Sequence, residues 1–352
     1  MQISDALEYL AGGGDLDSAQ AEAVMEQILA GGATDAQIAG LLVALRVKGE
    51  TVAELVGFAR AMRRNARPVF APGRRPAAES IVDTCGTGGD RSGTFNISTA
   101  AALVVAGAGV RVAKHGNRSI SSRCGSADVL EALGVRPEHE IELAGRAIEQ
   151  VGIGFLFAPA VHPAMKHAMR ARRELRLRTV FNLLGPLTNP AGASAQLVGV
   201  FSADFAERVA QALGELGARR AFVVHGREGL DEISLSGATF VAELAAGKVR
   251  AYEVTPEDFG LRRAPLEELA GGDAARNAEI IRHVLAGQAG PPRDAVLANA
   301  AAALVAAGRA EGFREGVAVA AQSIDSGAAA EKLEALIRFL AADEGPSQHR
   351  SG

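Results

Sequence analysis

Ile81-Val82-Asp83-Thr84-Cys85-Gly86-Thr87-Gly88-Gly89-Asp90, followed by Asn96-Ile97-Ser98-Thr99 and the alanine- and valine-rich run from Ala100 to Ala108, decides how the chain is read. An apolar pair leads into a glycine loop, and the loop leads into a helical run. A second apolar run, Val110 to Ala113, ends in Lys114-His115-Gly116-Asn117-Arg118-Ser119. The order is strand, glycine loop, helix, strand, polar loop. Both loops then leave the carboxyl ends of neighbouring parallel strands, where open α/β sheets place their ligands. Gly86, Gly88 and Gly89 can take positive φ and let N–H groups approach a ligand with no Cβ in the way. Asn96, Ser98 and Thr99 stand where a helix begins, so their side chains and the free N–H groups there suit phosphate oxygens. The second loop gathers Lys114, Asn117, Arg118, Ser119, Ser121 and Ser122. Together these residue types describe a cradle for a multiply charged phosphate compound.

Two familiar glycine motifs are excluded. The dinucleotide fingerprint G-x-G-x-x-G fails because Arg91 follows Gly88-Gly89-Asp90, and the nucleotide P-loop fails because no lysine follows these glycines. Asp83 and Asp90 flank the loop and would repel a bare phosphate, so a metal ion or a ribose hydroxyl is expected beside at least one of them. A turn-rich connection is the plain alternative for any glycine cluster. Two polar loops in adjacent strand–helix units argue against it.

Composition sets the frame. At 352 residues the chain can bury a sizeable core in one large domain or two unequal ones. It is 48% apolar with mean hydropathy +0.11, yet no uninterrupted apolar segment approaches the ~20 residues of a membrane span. Met1-Gln2-Ile3-Ser4-Asp5 lacks a basic region followed by an apolar one, so no secretory signal is expected. A net charge of −4 and a pI near 6.0 argue against a nucleic-acid footprint. Cys85 and Cys124 are read as two reduced thiols. The histidines show no zinc-ligand spacing.

Upstream of the deciding stretch, residues 1 to about 67 read as purely helical. Ser4 precedes the first helix, and Asp17 with Gln20, Thr34 with Gln37 and Thr51 with Glu54 are capping-box pairs at i, i+3. Gly12, Gly31 and Gly49 sit where helices end. Ile38, Leu41, Leu42 and Leu45 mark one buried stripe. Such short helices make a thin core, so the unit is expected to pack against a partner chain or later helices. Pro68, Pro72, Pro76 and Arg74-Arg75 form a linker.

Downstream, strands and helices alternate as in a mainly parallel sheet. Ala127 to Leu133 and Ile141 to Val151 read as helices, and Gly154 to Phe157 as a short buried strand. A basic helix follows, with Arg170, Arg172, Arg173, Arg176 and Arg178, and is expected to end in a rigid turn, Gly185 to Pro190. This segment can close over an anionic ligand as a second wall. His162 and His167 are five apart, which an α-helix does not bring together for a metal. Gly226 to Ser234, carrying Asp231-Glu232, lies at another strand's carboxyl end. Adjacent residues on a strand face opposite ways, so this pair serves one metal site only from a loop, or by serving two ions. Phe240 to Glu243 and Val249 to Val254 form an antiparallel edge pair. Helices fill the rest, and a polar tail begins at Asp343.

GTGGD at 86–90, NIST at 96–99, KHGNRS at 114–119 and GPLTNP at 185–190 resemble the motifs of the anthranilate phosphoribosyltransferases, in that family's order. The resemblance runs from the N-terminal helices to about Ala341. It implies an α/β fold of the nucleoside phosphorylase and phosphoribosyltransferase type. That fold has a small all-helical domain, 1–72, joined by helices from about 163–190. A phosphoribosyl pyrophosphate-binding domain with a mainly parallel sheet, 73–342, and a flexible tail, 343–352, complete it. The implied reaction moves the phosphoribosyl group of 5-phosphoribosyl 1-pyrophosphate to the amine of anthranilate, in tryptophan biosynthesis. Implied phosphoribosyl pyrophosphate contacts are Gly86, Gly89, Asp90, Thr94, Asn96, Ile97, Ser98, Thr99, Lys114, His115, Gly116, Asn117, Arg118, Ser119, Ile120, Ser121, Ser122 and Ser126. For anthranilate they are Gly86, Asn117 and Arg172, and a guanidinium fork matches a carboxylate well. Magnesium ligands carry over to Ser98, Asp231 and Glu232, with two Mg²⁺ per monomer. The family is a cytoplasmic homodimer joined through the helical domain.

This chain departs from the family pattern in places. Arg176 stands where relatives often have glycine, Arg170 where they have an uncharged residue, and Arg123 and Cys124 where lysine and serine are common. Anthranilate's amine is weakly basic and attacks in its neutral form, so no obligatory general base is assigned. His115 is a candidate for the later proton, and a role in structuring the loop is the reading preferred for it. Three rivals are weighed. A pyrimidine nucleoside phosphorylase shares the architecture, but its glycine and lysine loops read differently. A non-enzymatic nucleic-acid-binding relative would show lost motifs and a basic surface, and neither is present. A nicotinamide-linked oxidoreductase fails on the fingerprint.

Overall fold

The computed structural model describes residues 1–71, 73, 80–90, 92–119 and 123–342. Pro72, Arg74, Arg75 and Pro76 of the linker, Arg91, the Ile120-Ser121-Ser122 end of the second loop, and the tail from Asp343 lie outside them.

The chain opens with α1 (Ile3–Ala11), α2 (Ser18–Leu29), α3 (Asp35–Lys48) and α4 (Val52–Arg64). The capping boxes of α2, α3 and α4 all form as spaced in the sequence. Each satisfies two donors that a helix start leaves free. α1 differs: it is capped at Gln2, so Ser4 lies inside its first turn. The Gln27 side chain, on α2, accepts the Ile3 N–H at 3.1 Å and supplies the missing partner from outside. Ile38, Leu41, Leu42 and Leu45 are all buried.

The sheet domain follows with β1 (Ile81–Gly86), α5 (Ile97–Gly107), β2 (Arg111–Gly116), α6 (Ser126–Leu133), α7 (Ile141–Gln150) and β3 (Ile153–Phe157). Next come α8 (Ala158–Val161), a 3₁₀ turn (Pro163–Ala168), α9 (Met169–Leu175) and α10 (Val180–Leu187). Then β4 (Ala195–Gly199), α11 (Ala206–Glu215), β5 (Arg220–Gly226), β6 (Thr239–Ala245) and β7 (Lys248–Val254) complete the sheet. The last helices are α12 (Ala274–Leu285), α13 (Pro291–Ala306), α14 (Phe313–Asp325) and α15 (Ala328–Ala342).

The seven strands lie in the order β3-β2-β1-β4-β5-β6-β7. β1 to β5 are parallel, and the β6–β7 edge is antiparallel. The chain winds from β1 outward through β2 to β3, then returns to place β4 on β1's other side. The topological switch point is therefore the β1/β4 junction, where Gly86 pairs in register with Gly199. A crevice opens at such a junction beyond the carboxyl ends of the strands.

Strand alternation separates two cores. Leu197, Phe222, Val224 and Val241 face α5, α6 and α12–α15. Val198, Ala221, Val223, Ala242 and Leu244 face α11 and join one continuous core with the N-terminal helices, through Phe181, Leu183, Leu184 and Leu187 of α10. The thin N-terminal bundle thus packs against later helices of its own chain. The expected rigid turn at Gly185 to Pro190 is helical as far as Leu187, with Pro186 inside the helix. The Thr188 hydroxyl donates to the Leu184 carbonyl at 2.9 Å and gives that helix end the donor that its own backbone does not.

Candidate functional site

The crevice is organised by the loop after β5. Asp231 accepts the Gly88 N–H at 3.1 Å, and Glu232 accepts the Ser98 N–H at 3.1 Å. One carboxylate therefore holds the glycine loop and the other sits on the N-terminus of α5, where the helix dipole favours negative charge. The pair reaches one region because it lies in a loop, which releases it from strand alternation. Burial pushes the Asp231 carboxyl well above the usual range, and the neighbouring Asp90 adds to this. Glu232 is raised by burial and then by Asp231 and Asp90, against the opposing pull of Lys114. Three carboxylates thus crowd a poorly solvated corner. Among the described residues no group of three or more His, Cys, Asp or Glu side chains is arranged to hold a metal on its own. Two carboxylates with the Ser98 hydroxyl do suit a hard cation such as Mg²⁺, which takes its remaining oxygens from ligand phosphates and water.

Close approach explains the glycines at the junction. A Cβ on Gly86 would stand 3.0 Å from Asp231 Oδ2, and one on Gly199 would overlap the Asp231 carbonyl oxygen. Gly88 and Gly89 have φ of +64° and +79°. Gly86 does not; it ends β1 in extended backbone, so its need for glycine is the carboxylate beside it and not positive φ.

The other residues singled out in the sequence divide into those facing the crevice and those behind it. Asn96 caps α5 and is itself held: it donates to the Cys124 carbonyl at 3.3 Å and accepts from Asn277 of α12 at 2.9 Å. Asp90, Ser92 and Thr94 form a hydroxyl–carboxylate cluster. Gly116, Asn117, Ser119 and Ser126 form a second turn, with Ser126 Oγ accepting the Asn117 N–H and Asp128 accepting the Ser119 N–H. Ile97 does not face the crevice. Its side chain is buried in the core and its N–H is bound by the Phe95 carbonyl, because α5 must bury that face. Thr99 is buried as well. Lys114 lies beneath the cradle, 3% exposed, donating to the Thr84 carbonyl and standing 3.4 Å from Ser98 Oγ. Its burial lowers its pKa, countered chiefly by Asp83. Arg118 turns outward to Asp128, Glu131 and Glu138. Its charge is matched by those carboxylates, while its N–H stays in the turn on Asn117 Oδ1. Ile120, Ser121 and Ser122 lie outside the described residues.

Asp83 has protein partners in place of a ligand. It is fully buried and accepts from the His115 N–H at 3.2 Å and from Asn189 at 2.8 Å, which ties β1, β2 and the end of the GPLTNP stretch together. His115 places Nδ1 3.1 Å from the Gly185 carbonyl and packs edge-on against His162 at 5.3 Å. Burial lowers the pKa of His115 and takes His162 down to about 3, so both rings are neutral at physiological pH.

The basic helix packs on α3 and is tied to the glycine loop through Arg178. Arg172 is half-buried, stacks its guanidinium over Phe181 at 5.0 Å, and reaches the Met169 sulfur at 3.8 Å. Among the described residues no carboxylate pairs with it, and burial lowers its pKa. Its neighbours differ: Arg173 is exposed, and Arg170 is exposed and paired with Glu174 and Asp35. Arg176 ends α9 with φ of +51°, a left-handed position that favours glycine. Arg178 has no role of its own in the sequence reading beyond its place in the basic run. It bonds the Gly89 carbonyl and lies over Phe201 at 4.6 Å, so it links the basic segment to the glycine loop. Asn277 and Gly199 were missed. Each acts through a residue far away in sequence, and only an arginine in the run carried any local sign.

Comparison with known proteins agrees with this geometry. Residues 78–330 match the model of the glycosyl transferase family a/b domain, and residues 4–66 that of the same family's helical bundle domain. The anthranilate phosphoribosyltransferase of Syntrophobacter fumaroxidans is 57% identical over 337 residues, which is 96% of this chain and 98% of the relative. The solved anthranilate phosphoribosyltransferase of Thermus thermophilus superposes with a TM-score of 0.89 at 49% identity, covering 96% of this chain and 99% of that one. The Saccharomyces cerevisiae enzyme, solved in complex with phosphoribosyl pyrophosphate and Mg, gives 0.86 at 28% identity over 97% and 98%. The same yeast enzyme has also been solved with 4-fluoroanthranilate.

Proposed function

The chain belongs to the anthranilate phosphoribosyltransferase family, and we propose that the two walls of its crevice divide the reaction between them. The enzyme transfers the phosphoribosyl group of 5-phosphoribosyl 1-pyrophosphate to the amine of anthranilate, releasing pyrophosphate, in tryptophan biosynthesis. The sheet wall takes the phosphoribosyl pyrophosphate and the helical wall takes anthranilate. The observation that carries this reading is the Asp231–Glu232 pair, seated on the Gly88 and Ser98 N–H groups, beside a basic segment whose Arg172 has no carboxylate partner among the described residues.

On the sheet side, Gly88, Gly89, Asn96, Ser98 and the Asn117–Ser126 turn supply donors to phosphate and ribose oxygens. Asp231, Glu232 and Ser98 hold Mg²⁺, two ions per monomer, with substrate oxygens completing each shell. When bound, the metal neutralises charge that grows on pyrophosphate as it leaves. Lys114 places its amino group beneath Ser98, 3.4 Å from Ser98 Oγ, where it counters charge that gathers above it. On the helical side, Arg172 holds the anthranilate carboxylate and thereby aims its amine at the ribose C1. The amine attacks as the neutral base and loses its proton afterwards. His115 is neutral and bonded to Gly185, which suits a shaping role.

The division of the chain into a helical domain (1–72, with helices from about 163–190) and a phosphoribosyl pyrophosphate-binding domain (73–342) belongs to the same proposal. So does a cytoplasmic homodimer joined through the helical domain. Exposed Tyr9 on α1 and Val43 and Val47 on α3 favour that interface, with Val47 82% exposed. Among the described residues no helix is long and apolar enough to cross a membrane. Calorimetry tests the division directly. Phosphoribosyl pyrophosphate with Mg²⁺ should bind the wild type and fail to bind the variant carrying Asp231→Asn and Glu232→Gln. Unchanged binding by that variant would overturn the assignment.

A further inference from the structure

The carboxylate pair stands in a loop, yet the loop is not free to wander, and what fixes it comes from the far end of the chain. In α13 every residue from Ala295 to Ala306 is buried, and Asn299 is the one polar side chain among them. A carboxamide in the middle of a buried helix is costly unless its hydrogen bonds are made. Those of Asn299 are made, and two of them go to a single residue. Oδ1 accepts the Ile233 N–H at 3.0 Å, and Nδ2 donates to the Ile233 carbonyl at 3.3 Å. The other amide hydrogen goes to the Ala295 carbonyl at 2.9 Å, one turn back in the same helix, which locks the side chain's direction. The alanines beside it let α13 lie close enough for so short a side chain to reach the loop.

Ile233 directly follows Glu232. Holding both polar groups of its backbone sets the direction in which the chain arrives from Asp231 and Glu232, in the way one strand fixes another. We infer that Asn299 is a positioning residue for the metal-binding carboxylates, acting through the Ile233 backbone from 66 positions away. This rests on the reading that Asp231 and Glu232 hold the metal. It assigns part of the affinity of the site to a helix that does not touch the crevice.

The test measures Mn²⁺ binding to the protein in the presence of phosphoribosyl pyrophosphate and without anthranilate, so that nothing turns over. The free-ion EPR signal is compared with a protein-free blank. Asn299→Leu keeps nearly the same volume and loses both bonds to Ile233, and Asn299→Ala loses the bonds and the volume. Both should weaken Mn²⁺ binding about tenfold or more, as expected for two lost hydrogen bonds. Ser323→Ala is the control. Ser323 is buried in the same helical layer and bonds the Val104 carbonyl at 2.8 Å, so its loss should lower the melting temperature and leave Mn²⁺ binding unchanged. If Asn299→Leu binds Mn²⁺ as the wild type does while Asp231→Asn with Glu232→Gln does not, Asn299 merely fills space and the inference is overturned. If the double carboxylate variant also binds as the wild type, the metal assignment fails and the inference falls with it.

Discussion

The sheet wall of the crevice is held from behind at nearly every position, whereas the arginine of the helical wall that the substrate reading needs is held by no ion pair among the described residues. Asp231 and Glu232 rest on main-chain N–H groups, Asn96 is gripped by Asn277, and Asp83 locks three segments together. Arg172, by contrast, is kept in place by an aromatic face and a sulfur. The two arginines show the same contrast in reverse. Arg118, within the phosphate motif, is taken up by three carboxylates. Arg172, in a helix of otherwise solvated charge, has none among the described residues. On the proposed reading, recognition on the sheet side is a matter of fixed geometry, and on the helical side of an available charge. Substitutions should therefore fail differently on the two walls.

The sharpest break is Asp231→Asn with Glu232→Gln. Turnover should fall on the order of 1000-fold or more, since the charge that holds metal against pyrophosphate is gone. Thermal melting followed by circular dichroism should show no loss of stability, because two buried, mutually repelling charges have been neutralised. A marked drop in melting temperature would mean that the pair's role is structural.

Arg172→Ala comes next. Losing a charged hydrogen-bonded pair costs roughly 2–4 kcal/mol, about 30- to 1000-fold in the Michaelis constant for anthranilate. Binding of phosphoribosyl pyrophosphate by calorimetry should hardly change. Arg173→Ala, whose side chain is exposed, should match the wild type. A defect in Arg173→Ala with none in Arg172→Ala would move the site one residue along the helix.

Gly86→Ala should weaken phosphoribosyl pyrophosphate binding about tenfold, roughly 1.4 kcal/mol, with little change in melting temperature. The new methyl group meets a carboxylate oxygen at 3.0 Å, and that side chain must shift from its bond to the Gly88 N–H to make room. A large loss of stability with normal binding would show that the backbone, and not the carboxylate, requires the glycine.

The last effect is one on stability alone, at His162. Its pKa is held down to about 3 by burial and by His115, and it rises toward 6.5 on unfolding. The unfolded chain therefore takes up a proton that the folded chain refuses. Stability is full above pH 6.5 and declines as pH falls toward 3, by about 2 kcal/mol at pH 5. Urea melts at pH 7 and pH 5 should show His162→Gln losing that much less between the two than the wild type. Equal losses would place the acid sensitivity elsewhere.

Local signals in the sequence carried most of the fold and half of the site. Capping boxes at Thr34 and Thr51 are complete within four residues, and the glycine loop announces itself by composition. Arg172 was singled out only by the family resemblance, and its partial burial beside exposed Arg173 supports that register. What stayed hidden works across long separations. Asn277 reaches Asn96 over 181 positions, and Arg178 reaches Gly89 over 89. An asparagine in an alanine-rich helix carries no sign of which loop it will meet. The turn expected at Gly185-Pro186 failed for a related reason. Proline argues against helix on local grounds, yet the helix runs on to Leu187, where the Thr188 side chain serves the Leu184 carbonyl at its end. Gly86 was marked for its conformational freedom, whereas what crowds a side chain there is the Asp231 carboxylate.

Asp231 and Glu232 hold the Gly88 and Ser98 amides that an anion would seek. The crevice thus offers an incoming anion carboxyl oxygens where it would look for donors. Inorganic phosphate or sulfate arriving alone must evict a carboxylate from each amide and then remain beside it, like charge against like. A diphosphate that arrives carrying divalent cations gives each evicted carboxylate a new partner in the same step, and the amides fall to the phosphate oxygens. On the proposed reading, the carboxylates act as a customs barrier. They turn away the commonest small anions of the cell and pass the one that brings its own counterions.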